Sequence, residues 1–81
     1  MEECYGVRTI HQHVFDTSVL KIGEQITVTE YANDGFERTI YGTIQEVDEN
    51  NIIISYDDGE WSMIHQVMIG EILNGEKEII E

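Results

Sequence analysis

At 81 residues the chain reads as one domain, and a domain of that size buries only about 60–65% of its unfolded surface, so self-association is a natural supplement to its core. The single cysteine, Cys4, excludes an intramolecular disulfide, requires no oxidising compartment and leaves the cytoplasm as the expected location. Seventeen acidic residues against four basic ones give a formal net charge of −13, which repels phosphate backbones and anionic membranes, so neither direct nucleic-acid binding nor membrane association is expected.

The opening stretch, Met1 to Gly6, is acidic and lacks the basic start and apolar stretch of a signal peptide, and no run reaches the roughly 20 apolar residues needed to span a bilayer. Arg8 to Phe15 alternates loosely, with Thr9, His11, His13 and Phe15 on one face and Ile10, Gln12 and Val14 on the other. It reads as an edge strand or as an extended arm packed on a neighbour. Asp16, Thr17 and Ser18 offer helix N-cap chemistry, but Lys21, Ile22 and Gly23 stop anything begun there, which allows a short helix or a turn at 17–21.

From Gly23 onward the pattern is that of a meander. Gln25 to Tyr31 alternates, with Ile26 and Val28 on one face and Thr27, Thr29 and Tyr31 on the other. Asn33, Asp34 and Gly35 then make a tight turn. A second strand runs from about Glu37 to Val47. Ile40 and Ile44 share a face but Val47 falls out of their register, which predicts a bulge or bend near Gln45 and Glu46, and Gly42 permits tight coiling there. After an acidic turn at Asp48 to Asn51, Ile52, Ile53 and Ile54 form an apolar run without alternation, the mark of a strand buried on both faces, with the N-terminal arm or another subunit over its outer side. Asp57, Asp58 and Gly59 turn the chain into a fourth strand, Glu60 to Ile64. His65 and Gln66 form a corner, Val67 to Leu73 a fifth strand, and the Asn74-Gly75 hairpin signal folds Glu76 to Ile80 back as a sixth. With no proline and turns at short intervals, the fold class is all-β: a small SH3-like or Sm-like barrel of five to six antiparallel strands with a short N-terminal arm or helical turn. The boundaries are an arm at 1–21, the barrel at 22–73 and a C-terminal hairpin strand or tail at 74–81.

Gly42, Ile44, Val47, Asp48 and Asn51, followed by Ile52 to Ile54, are similar to the first motif of the Sm-like fold, and Ile69, Gly70 and Ile72 echo the second. The arginine common before that second glycine is absent, so the RNA-reading chemistry of Sm rings is not carried over. Tyr31 to Gly35, Gly42 to Ile44, Val47-Asp48, and Asp57 to Trp61 followed by Ile64 resemble the YolD-like family of small proteins from Gram-positive bacteria and their phages and plasmids, over roughly residues 22 to 73. That resemblance implies a non-enzymatic accessory or regulatory role linked to translesion DNA polymerases and mobile elements.

The chemistry-bearing residues fit that reading. His11 and His13, with Cys4 or His65, have the types and spacing to be weighed as a metal set, but no second paired ligand set matches them, and no metal or cofactor is expected. Asp48, Glu49, Asp57, Asp58 and Glu60 lack calcium-loop spacing and suit turns. Cys4 and Ser62 each lack the setting of a nucleophile, so no catalytic residue is expected. Trp61 either plugs the barrel or stands with Tyr41 and Met63 on an exposed face, where aromatics and methionine inside an acidic rim make a protein-binding surface. The candidate protein-binding residues are thus Trp61, Tyr41, Met63 and Ile53. The expectation is a protein-binding module that forms a homo-oligomer. The alternative is a phage-type inhibitor of a host defence enzyme, either an acidic DNA mimic or an oligomer sequestering a small signalling ligand.

Overall fold

Alternation of β-branched and polar residues builds nearly every element of this chain. The computed structural model describes residues 5–9 and 13–80; Cys4, His11 and the Ile10 and Gln12 face of the N-terminal arm lie outside the described residues. The elements are β1 (Val7–Thr9), β2 (His13–Phe15), β3 (Gln25–Tyr31), β4 (Glu37–Val47), β5 (Asn51–Asp57), β6 (Ser62–Met68), α1 (Ile69–Leu73) and β7 (Lys77–Ile80). β1 and β2 form a small hairpin, and the other five strands form one open antiparallel sheet in the order β6-β5-β4-β3-β7. The fold is therefore the small all-β one expected. The sheet curls so far that its two edges approach: the Lys77 ammonium on β7 donates to the Gln66 carbonyl oxygen on β6 at 2.8 Å.

β4 is the strand that bends the sheet. It pairs with β3 from Glu37 to Thr43 and with β5 only from Thr43 onward. The register slips between Ile44 and Glu46, so Gln45 is the extra residue of a β-bulge, where the phase of Val47 predicted one. Gly42 sits at a close approach of β4 to β5: a Cβ there would lie 2.6 Å from the Ser55 carbonyl oxygen and collide with the Ile54 side chain. Inside the curl, Ile26, Val28, Ile44, Ile52, Ile54, Val67 and Ile79 form the core, and Val7, Phe15 and Leu20 from the N-terminal segment complete it. The Phe15 N–H donates to the Glu49 carbonyl at 2.9 Å, which docks the hairpin against the β4–β5 turn. Residues 17–21 form turns, with the Asp16 carbonyl accepting from Val19 and Leu20.

Within the single chain Ile53 is half-buried, so the isoleucine run is covered by the core on one face and partly on the other. Three local expectations are corrected. His65 and Gln66 make no corner, because they pair with Ile54 and Ile53 in the middle of a continuous β6. Val67 to Leu73 is not a strand, since Ile69 to Leu73 is a helical turn whose Ile72 is buried and whose Glu71 carboxylate caps the Met68 N–H at 2.8 Å. Asn74-Gly75 is not a hairpin. It ends that helix: Gly75 takes φ +84°, its N–H meets the Ile72 carbonyl at 3.2 Å, and the Glu76 N–H meets the Glu71 carbonyl at 2.9 Å, the paired bonds of a Schellman cap. β7 consequently pairs with β3 and not with the segment before the turn.

Candidate functional site

Two of the four sequence-derived binding residues meet in one cleft. Where β4 parts from β5, a hollow of about 410 Å³ opens between Arg38–Tyr41 on one side and Tyr56–Asp58 with Met63 on the other. Tyr41 is 74% exposed and Met63 40% exposed there. A neighbouring hollow of about 350 Å³ shares Tyr41, Tyr56 and Asp57 and continues the opening past Gly42 and Ser62. Trp61 is 69% exposed, so it does not plug the barrel. Its backbone is fixed beside the cleft by Asp58: the Trp61 and Glu60 N–H groups donate to Asp58 Oδ1 at 2.9 and 3.2 Å, and the Asp58 N–H donates to the Trp61 carbonyl at 3.1 Å. Gly59, at φ +107°, permits that turn. The Trp61 and Glu60 N–H bonds hold the Asp58 carboxyl below the usual carboxylate range. Ile53 is not part of this arrangement, because it pairs with Gln66 and Glu46 in the middle of the sheet.

Beside the cleft lies a polar cluster that the sequence reading passed over. Glu30 of β3, Arg38 of β4, His65 of β6 and Lys77 of β7 converge: Glu30 stands 3.3 Å from Arg38 Nε, 3.7 Å from His65 Nε2 and 3.9 Å from Lys77 Nζ. Lys77 also reaches Glu71 at 2.9 Å, and the Arg38 guanidinium donates to the Tyr56 hydroxyl at 3.4 Å. The Tyr56 and His65 rings stand nearly perpendicular, 77° apart, at a centroid distance of 6.4 Å. His65 Nε2 is buried and lacks a hydrogen-bond partner among the described residues. Burial, reinforced by the Lys77 cation and opposed by Glu30, pushes the imidazole below its ordinary value, so it is neutral at pH 7. Burial alone would raise Glu71, but the Met68 N–H and Lys77 bonds outweigh it and hold the carboxyl down.

A signal for this cluster existed in the chain. Glu30 shares the face of Ile26 and Val28, Arg38 that of Ile40, and His65 that of Val67, so charged or titratable residues occupy positions whose parity points into the core. His13 lies half-buried on β2, and among the described residues no three His, Cys, Asp or Glu side chains group as a metal set. The arrangement offers exposed aromatic and thioether surface, carboxylates at its rim and an ion-paired cluster beside it. Fold and site together define a small curled all-β domain with an aromatic cleft at an unclosed strand gap. No family model, curated protein or solved structure matches this chain.

Proposed function

We propose that the protein is a non-enzymatic accessory or regulatory module that binds another protein through the Tyr41, Met63 and Trp61 surface, in the cytoplasm of a bacterium or as the product of a phage or mobile element. The bacterial setting follows the YolD-like resemblance, and so does the link to a DNA repair polymerase. The observation that carries the binding role is the surface itself. Tyr41 and Met63 stand exposed in one cleft with Asp57 and Asp58, and Trp61 is exposed on the turn that follows Asp58, a composition typical of interface hot spots. Cross-linking in a Gram-positive lysate tests the reading, with Tyr41→Ala and Trp61→Ala as comparisons. The expected result is a partner captured by the native chain and lost from both variants; capture unchanged in both sinks the reading.

Self-association is the companion proposal, supported by the edge strand β6. Trp61 to Gly70 contains no Asp, Glu, Lys or Arg, whereas solvent-facing edges normally carry charge that blocks further pairing. Part of this edge is already occupied, since Lys77 takes the Gln66 carbonyl and Glu71 the Met68 N–H. These bonds, with the Ile69 N–H donating to Asn50 of the β4–β5 turn, set the alternation so that Ser62 and Ile64 present their backbone groups outward. Light scattering after size exclusion should show an oligomer that Ile64→Lys converts to a monomer, and a native chain that is monomeric at every concentration removes this proposal.

A further inference from the structure

The cleft has a wall made of backbone. Four consecutive residues, Arg38 to Tyr41, line it, which side-chain alternation alone does not produce; the edge of β4 faces the opening. The hydrogen bonds at the end of the β3–β4 ladder say which groups are turned there. Ile44 bonds through its N–H to Glu24 and through its carbonyl to Gly23, so even-numbered residues before the bulge face β3, and Glu37, Thr39 and Tyr41 aim their N–H and C=O groups into the gap. The β4–β5 ladder begins only at Thr43↔Ser55, and among the described residues no strand pairs with that side of Glu37 to Tyr41. The stretch is about 13 Å long at about 3.3 Å per residue.

The flanks of the gap have a definite charge and a definite alternation. Asp57 and Asp58 stand on its far side, and among the described residues neither is ion-paired; the Asp57 carboxylate accepts only the Ser62 hydroxyl at 3.1 Å. Arg38 is already engaged by Glu30. By parity, Tyr41 and Asp57 lie on the outer face of the sheet, whereas Met63 and Tyr56 lie on the inner one. We infer that the gap is a docking groove for an extended cationic segment of a partner protein, added as a strand to the Glu37–Tyr41 edge. Alternate Lys or Arg side chains of that segment face Asp57 and Asp58, and the apolar ones between them face Met63. The inference rests on the binding role proposed above and names the partner chemistry. A second copy of the chain does not supply such a segment, because its four basic residues, Arg8, Lys21, Arg38 and Lys77, are spread singly along the sequence. A nucleic acid is repelled by the same carboxylates that attract the peptide.

The test is selection of a displayed random octapeptide library on the full chain, followed by titration of synthetic versions of the enriched peptides. The expected winners carry Lys or Arg at alternate positions and shift the amide resonances of Thr39, Tyr41 and Asp57 to Met63. They also bind at least tenfold more weakly to Asp57→Lys, and lose binding when alternate peptide amides are N-methylated. The N-methylated peptides decide the matter if Asp57→Lys does not fold. Winners without basic residues, shifts confined to another face, no enrichment, or N-methylated peptides that bind unchanged overturn the inference. Failure here with the lysate partner still lost from Tyr41→Ala and Trp61→Ala leaves the binding role standing and removes only the cationic strand; unchanged capture in those variants removes the role itself.

Discussion

Replacing Lys77 by methionine separates the charge that ties the two sheet edges together from the bulk of the side chain that carries it. The ammonium is held by the Gln66 carbonyl at 2.8 Å, Glu71 at 2.9 Å and Glu30 at 3.9 Å, and its side chain is 9% exposed. Methionine preserves the apolar stem but leaves the Gln66 carbonyl without its ammonium donor and two carboxylates without their shared cation. Removing one partner of a fully buried ion pair costs about 3–5 kcal/mol. Glu71 and Glu30 retain 28% and 30% exposure, so water takes over part of their solvation and a loss of about 2–3 kcal/mol is expected. A domain of 81 residues has about 4–12 kcal/mol in total, which makes this a large fraction. In urea the midpoint should fall by about 1–2 M with an unchanged slope. In the same variant the His65 imidazole should titrate at higher pH by NMR, because a neighbouring cation has gone. A loss below about 0.5 kcal/mol, the range of ordinary surface changes, together with an unmoved His65 titration, would refute the idea that Lys77 closes the curl.

Gly42→Ala places a methyl group against the Ser55 carbonyl and Ile54 and should destabilise by about 1–3 kcal/mol, as overpacking does, read as a lowered thermal midpoint. Gly75→Ala forces an L side chain into φ +84° and should cost about 1–2 kcal/mol, whereas Gly75→Asn, which tolerates that region, should recover part of the loss. His65 provides a pH test whose sign is fixed by its direction. Its folded value lies below the ordinary 6.5, so the unfolded chain takes up the proton first as pH falls. The contribution of neutral His65 to stability is therefore complete above 6.5 and is lost as pH drops from there toward the folded value. His65→Gln should flatten the stability profile between pH 7 and 5.5 in parallel urea titrations, and a variant with the same slope as the native chain refutes the assignment.

Much of the meander was legible because period-two alternation carries both the strands and their interruptions. The bulge at Gln45 was visible as the lost phase of Val47, and the turns at Asn33 to Gly35 and Asp57 to Gly59 as residues suited to tight turns. The helix at Ile69 to Leu73 was hidden because a dense apolar run suits either period; the three-residue step from Ile69 to Ile72 was its only mark. Asn74-Gly75 misled for a related reason. The same dipeptide favours a type I′ turn and a helix C-cap, and only the vacant edge of β3 decides where the following strand goes. Whether Trp61 was plug or surface depended on the curl of the sheet, which no local pattern encodes.

The cleft and the polar cluster are two consequences of one arrangement of inward-facing side chains. Along β3 that row reads Ile26, Val28, Glu30; along β4, Ile44, Gly42, Ile40, Arg38; along β5, Ile52, Ile54, Tyr56; along β6, Val67, His65, Met63. Every row starts apolar and ends in a polar or polarisable group, and the apolar ends lie where Phe15 docks against the β4–β5 turn. The core is thus sealed at one end by the N-terminal segment and unsealed at the other, where desolvating Glu30, Arg38 and Tyr56 without partners would be unfavourable. Their mutual pairing satisfies them only partly and leaves them in reach of water. The gap therefore opens where the inward rows turn from apolar to polar, with Ile40 the last buried apolar side chain of β4 beside it, and the proposed binding edge lies at the rim of the core and not across its middle.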